Sequence, residues 1–192
     1  MKRKVPFELL LIGLLCLGPV GLAVFLYYGP FDKTNLPMLE NPERELIAPQ
    51  VTLPAEALTR ADGTLSEPDW ARYRWSLIYA KMGVCDEKCL RELTRLSQVY
   101  FALGRDRDRA RRVFLFAAAE SPVQGGADVL VARLDDERGA RLVPLLGRRK
   151  IQAGRIFVAD PLGNLVLSYP PDADQSQLLE DLKRLLDVSG IG

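Results

Sequence analysis

The chain has 192 residues, 48% of them apolar and 27% charged, with a formal net charge of +1 and no histidine. That is a globular composition, sized for one ordinary domain plus extensions, and it lacks the basic field that nucleic acid demands of a partner. Without imidazole there can be no Ser-His-Asp triad, no Cys-His nucleophile pair and no histidine metal ligand, which leaves thiols, carboxylates and the backbone to carry any chemistry.

The start, Met1-Lys2-Arg3-Lys4, is basic, and residues 9–28 then run for twenty positions without a charge. Such a run is long enough to cross the hydrocarbon core of a bilayer as a helix. The basic residues 1–8 should stay in the cytoplasm and the rest of the chain should lie across the membrane, with Tyr27 and Tyr28 at the far interface. A cleaved signal peptide competes with this reading, but no small-x-small cleavage site follows the apolar run. In an anchor, Cys16 is a packing residue and Gly18-Pro19 a tolerated kink.

Residues 29–68 hold Pro30, Pro37, Pro42, Pro49, Pro54 and Pro68 with little periodicity, which predicts an extended linker. Within it, Asp62-Gly63 marks the turn of a small hairpin over 59–65 that could cap the domain. The folded domain is expected over 69–192. Residues 75–80 predict a buried strand, and 86–103 a helix with Leu90, Leu93, Leu96, Val99 and Leu103 on one face, ended by Gly104. Buried strands are predicted at 112–118 (RVFLFAA) and 127–133 (ADVLVAR), and a helix at 135–146 with Pro144 limiting its last turn. Residues 155–160 and 165–169 form a predicted hairpin around Pro161-Leu162-Gly163-Asn164. An amphipathic helix over 175–188 closes the chain. This order, with parallel-type strands early and an antiparallel pair late, is that of an α/β, thioredoxin-like fold.

Two of the three cysteines stand in GVCDEKCL, at the junction of the first core strand and its helix. In open α/β sheets, sites collect beyond the carboxyl ends of the strands. Cys85 and Cys89 are four apart, so on a helix they would share a face within bridging distance, and a helix start favours a thiolate at Cys85. Asp86 and Glu87 suit the first helical turn and repel that thiolate. A structural disulfide, a redox couple and a metal clamp all remain open at this point. The run Gly104–Arg109 and on to Arg112 alternates charge, which predicts a solvated turn, with a docking patch as the functional alternative. Gly125-Gly126 has no following lysine and gives no phosphate loop.

The segment WSLIYAKMGV-Cys85-DEK-Cys89-LREL, followed by GRIFVADPLGNLVLSY and the last amphipathic helix, resembles the Sco/SenC family. That resemblance implies a membrane-anchored thioredoxin-like domain, periplasmic on a bacterial inner membrane. It implies service to cytochrome c oxidase subunits or assembly factors through copper delivery or thiol reduction, with Cys85 and Cys89 as the catalytic and metal-binding residues. The chain departs from the family where prolines usually flank the motif, here Asp86 and Leu90, and where a histidine ligand is expected, here within residues 150–154. Two thiolates suit Cu(I), a soft ion, but not a Cu(II) site of the family type. Met82 is read as a packing residue. The cis-proline of general thioredoxin-like oxidoreductases is missing as well, since residues 150–155 hold no proline. The expectation is therefore a dedicated Sco-like accessory protein, or alternatively a non-catalytic scaffold of the same fold with a structural disulfide.

Overall fold

A computed structural model describes Leu17 and residues 44–117 and 128–190. The chain divides into two compact units, Met1–Asn41 and Pro42–Gly192, and all described residues except Leu17 belong to the second. Among the described residues no helix is long and apolar enough to cross a membrane. The expected span at 9–28, with Cys16, lies outside the described residues except for Leu17, as do the basic residues 1–8 and Gly125-Gly126.

Six strands form one sheet in the order β1-β6-β5-β2-β3-β4: β1 Glu45–Thr52, β2 Trp75–Met82, β3 Ala110–Ala117, β4 Val129–Arg133, β5 Arg155–Ala159 and β6 Asn164–Tyr169. Strands β2, β3 and β4 are parallel, while β5, β6 and β1 run antiparallel to their neighbours. Helix α1 (Glu87–Ala102) crosses from β2 to β3, and the last helix, α5 (Gln175–Val188), packs on the same face. Three short helices, α2 (Glu137–Ala140), α3 (Leu142–Leu146) and α4 (Arg148–Gln152), lie between β4 and β5 and serve the other face. The fold is thus a sheet covered on both sides, as the early parallel strands require.

Strand alternation divides the core. Trp75, Leu77 and Tyr79 of β2 point with Phe114 and Phe116 of β3 toward α1 and α5, where they meet Leu93, Leu96, Val99, Leu178, Leu182 and Leu186. Ile78 and Ala80 point the other way, with Val113 and Leu115, onto Leu142, Val143, Leu146 and Ile151. Each fully buried aliphatic side chain adds about 1.5–3 kcal/mol of favourable burial.

Several expectations need correction. Residues 45–52 do not belong to an open linker: they form β1, paired along β6, and Leu53 and Leu58 just beyond are core residues. The predicted helix over 135–146 is two helices. Pro144 lacks an N–H and would collide with the Ala140 carbonyl in a continuous helix, so a new helix starts at Leu142 and holds Pro144 in its first turn. Of the five residues expected on the inner face of α1, Leu93, Leu96, Val99 and Leu103 are buried. The fifth, Leu90, is 44% exposed, and Cys89 and Glu92 are buried beside it. Finally, the charged run splits. Gly104–Arg109 is an exposed 3₁₀ turn, whereas Arg111 and Arg112 belong to β3 and are half-buried.

The hairpin over 59–65 is present. Thr59 bridges Leu65, and the Thr64 amide and hydroxyl both donate to Asp62 Oδ1, at 2.9 and 2.6 Å. It covers the outer edge of β4, with Arg60 bridged to Ala132 and the Arg133 amide donating to the Thr59 carbonyl at 2.9 Å. Such cover keeps an edge strand from pairing with another chain.

Candidate functional site

Strand β2 is central and buried along most of its length, so its carboxyl end is a fixed point. Gly83, at φ +84°, turns the chain out of the sheet there, and Val84 stands 80% exposed. Cys85 follows, half-buried, and Asp86 then caps α1: its Oδ1 accepts the Cys89 amide at 2.9 Å and its carbonyl accepts the Leu90 amide at 3.0 Å. Cys89, in the first turn, is completely buried. The two sulfurs are joined in a disulfide, with Cα atoms 5.2 Å apart. The structure thus brings both predicted site residues together, but by another geometry than a shared helix face. Cys85 precedes the helix cap, and only Cys89 is helical.

The two sulfurs are therefore unequal. Of the two residues, Cys85 is the one open to an approaching group, and Cys89 lies on the protected side. Its place in the first turn gives a Cys89 thiolate the partial positive charge of the helix start, against the cost of burial.

A ring of charge frames the pair. Lys81, from the last turn of β2, lies 3.6 Å from Asp86. Lys88 meets Asp172 at 2.6 Å, and Arg95 joins Glu92 at 2.9 Å and donates to the Ala173 carbonyl at 2.7 Å. These contacts fasten the loop after β6 to α1 beside the cysteines. The amide of Cys89, and then Lys81, hold the Asp86 carboxyl below its ordinary range. Lys88 does the same for Asp172. Beneath the site, burial pushes the Tyr79 phenol far up, helped by Glu92, Asp86 and Asp172, so it stays protonated. Gly154, just before β5, faces that phenol; a Cβ there would stand 2.3 Å from its oxygen. Sequence reasoning did not pick out Lys81, Lys88, Asp172 or the Tyr79–Gly154 contact. Lys81 and Lys88 stand beside the cysteines in sequence, but Asp172 and Gly154 come from separate segments that only the fold brings to them.

As to metal ligands, Met82 packs against the face opposite Cys89, which agrees with its reading as a packing residue. Lys150 is engaged with Glu45 at 2.6 Å. Among the described residues no three His, Cys, Asp or Glu side chains converge on one point. The donor set fits Cu(I) on two thiolates once the disulfide is reduced, and does not fit a Cu(II) site with a third ligand. The arrangement as it stands is suited to two-electron thiol–disulfide exchange.

A family model described as "Transmembrane-like, thioredoxin-like, C-terminal domain" matches residues 75–189. No curated protein matches the sequence. Among solved structures, yeast Sco1 with copper bound superposes with a TM-score of 0.57 at 16% identity, covering 72% of this chain and 94% of that one. Copper-bound ScoI of Bradyrhizobium japonicum gives 0.51 at 18% identity, over 70% and 98%. BsSco, described with a disulfide switch and as a member of the Sco family of cytochrome c oxidase assembly proteins, gives 0.51 at 10% identity, over 74% and 99%. At these identities the likeness concerns the fold, which is a divergent Sco-like thioredoxin fold.

Proposed function

The chain belongs to the transmembrane-like, thioredoxin-like C-terminal domain family, and from that premise we propose that it is a membrane-anchored, Sco-like accessory protein for assembly of a respiratory heme–copper oxidase. Residues 9–28 anchor it in a bacterial inner membrane, with the N-terminus cytoplasmic and the domain in the periplasm. Cys85 and Cys89 form its working dithiol. The observation that carries this reading is the unequal cysteine pair, one sulfur half-exposed and one buried, at the carboxyl end of the central strand.

In the reductive direction, the Cys85 thiolate attacks one sulfur of a partner disulfide, and the other partner sulfur leaves as a thiolate and takes a proton. Cys89 then attacks the Cys85 sulfur of the mixed disulfide and expels the second partner thiolate. The partner gains two electrons and two protons, and the Cys85–Cys89 disulfide is the oxidised product. A dithiol reductant must return the pair to its starting state. The exposed Val84 and Leu90 beside Cys85 offer an apolar rim to that partner. With the pair reduced, the same two thiolates would hold Cu(I) as cargo, and loss of either would leave the ion under-coordinated.

The test is a thiol-exchange and copper assay on the full-length protein. The pair should equilibrate at a potential of about −120 to −270 mV, in the range of exchange proteins. Cys85→Ser should abolish exchange, Cys89→Ser should trap a mixed disulfide, and each should abolish Cu(I) binding. A periplasmic reporter fused after Gly192 should be active, with the protein retained in the membrane. If the Cys85→Ser/Cys89→Ser double variant supports normal oxidase levels at low copper, the dithiol role is wrong and a scaffold of the same fold takes its place.

A further inference from the structure

Between Glu137 and Asp160 the chain carries six cations, Arg138, Arg141, Arg148, Arg149, Lys150 and Arg155, and no acid, although the net charge of the whole chain is only +1. The fold turns this run outward. Leu142, Val143, Leu146 and Ile151 of α3 and α4 are buried in the core, while Arg141, Pro144, Leu145, Arg148, Arg149 and Lys150 are exposed. Glu45 meets Lys150 at 2.6 Å and Arg155 at 2.8 Å, and Glu56 and Glu137 meet Arg141 at 2.9 and 3.2 Å. Among the described residues, three carboxylates thus pair with a run of six cations, which leaves the surface of α3 and α4 positive. Leu145, 38% exposed, stands within it.

This surface lies where the chain enters the domain. Strand β1 runs antiparallel to β6, so Glu45 lies toward the end of the sheet where β6 finishes and β5 begins. Strand β5 begins at Arg155 opposite Ala80, close to the carboxyl end of β2. The Glu45 contacts therefore tie the entry of the chain to α4 and to the start of β5. Upstream stand residues 29–43 and the uncharged run 9–28. Fully extended, residues 29–43 would reach about 50 Å, so a bilayer holding the run 9–28 is within reach of the patch. Apolar side chains set among arginines suit the headgroup region, where the apolar groups sink below the phosphates and the guanidinium groups bond to them. An acidic protein surface would use the cations but gives Leu145 no role.

We propose that the exposed surface of α3 and α4 docks on an anionic lipid bilayer, with Arg148, Arg149 and Lys150 on lipid phosphates and Leu145 in the headgroup layer. Gly154 follows α4 by two residues and meets Tyr79 beneath the cysteines, so docking would hold the cysteine end of the sheet near the membrane. The reach argument rests on the anchor proposed above; the charge and the exposure do not.

The test uses full-length protein in lipid nanodiscs of phosphatidylcholine alone, or of an equal mixture with phosphatidylglycerol. Phenylglyoxal modifies exposed guanidinium groups, and peptide mass spectrometry reads the rate at each site. Modification of Arg148 and Arg149 should slow about fivefold in the anionic discs. Arg184, exposed on α5 against the other face of the sheet, should keep its rate as the internal control. Salt at about 1 M, where screening acts within about 3 Å, should remove the difference. Lys150 should be acetylated more slowly in anionic discs as well, and the Arg148→Gln/Arg149→Gln variant should lose most of that protection. The comparison of lipids on the unaltered chain decides the matter even if this variant fails to fold. Anchor and patch fail separately. Protein retained in the discs with equal rates in both lipids keeps the anchor and overturns the docking proposal, leaving the patch to an acidic protein surface. Protein that leaves the discs, yet is bound by added anionic vesicles with Arg148 and Arg149 slowed, loses the anchor and keeps the docking surface. Equal slowing at Arg184 would overturn the proposal too, since no single face would then meet the lipid.

Discussion

Where β2 ends, beside Cys85 and Cys89, Lys81, Lys88 and Arg95 each have a carboxylate within reach, and the cap of α1 takes up the Cys89 amide. Where β2 and β3 begin, Arg60, Trp70 and Arg111 bury donors that have no acceptor among the described residues. Among the described residues, the same sheet thus has one end whose charges are paired and one that keeps buried donors unpaired. At the paired end, reactivity is concentrated in a covalent bond between two sulfurs, and the surrounding charges hold its loop still. At the other end each such donor costs stability, about 1–3 kcal/mol. A rigid frame suits chemistry on a fixed bond.

The largest effect that would break this contrast is at Gly154. Its φ of +86° strains any other residue, and a methyl would press on the Tyr79 oxygen beneath the cysteine site. Gly154→Ala should destabilise the protein by about 2–4 kcal/mol in urea unfolding, from left-handed strain plus overpacking. A near-neutral result would mean that the frame around Tyr79 yields easily and is not the fixed support described.

A smaller effect comes from the disulfide itself. It closes a loop with a sequence separation of four residues. By chain entropy so short a loop contributes about 2 kcal/mol. Reduction should lower unfolding stability by about that much and leave the sheet intact by circular dichroism, since Cys89 still packs as a small apolar residue. Collapse of the fold on reduction would move the pair from chemistry to structure.

The smallest effect sharpens the picture of the cap. The Asp86 carboxyl is held below its ordinary value of 3.8 in the folded chain, by the Cys89 amide first and Lys81 second. Its contribution is therefore present at neutral pH and is lost only as pH falls below 3.8, through the depressed folded value. The Cys89 amide resonance, followed from pH 6 to about pH 2, should report the loss of this bond in that acid window. Asp86→Asn should flatten the response.

How far the sequence disclosed this molecule depends on where apolar period and capping residues coincide. Helix α1 could be placed closely because Asp86, the leucine spacing and Gly104 all agree. Strands β2 and β3 were visible as apolar runs, but the first two residues of β3 were hidden because Ala110 and Arg111 belong to a charged stretch. Strand β1 left no signal. Most of its residues are exposed, Pro49 interrupts it, and it is recognisable only by its pairing with β6. The cysteine pair could be read because both residues lie within one short segment. The frame around it could not, since Asp172 and Gly154 are far from the pair in sequence.

The position of β1 has a consequence for the way the chain must be assembled as it is made. Glu45 pairs with Ser168, 123 residues later, at the edge of the sheet opposite β4. Synthesis runs from the N-terminus, so β1 emerges early and finds its partner only when β6 has appeared, after nearly all of the sheet. Until then it is an orphan strand, the kind that neighbouring chains recruit into aggregates. Its own residues answer that hazard: Pro49 offers no amide to a foreign ladder, and the charge of Glu45 discourages stacking. The apolar partners that would reward early collapse are sparse along it, which lets this segment wait.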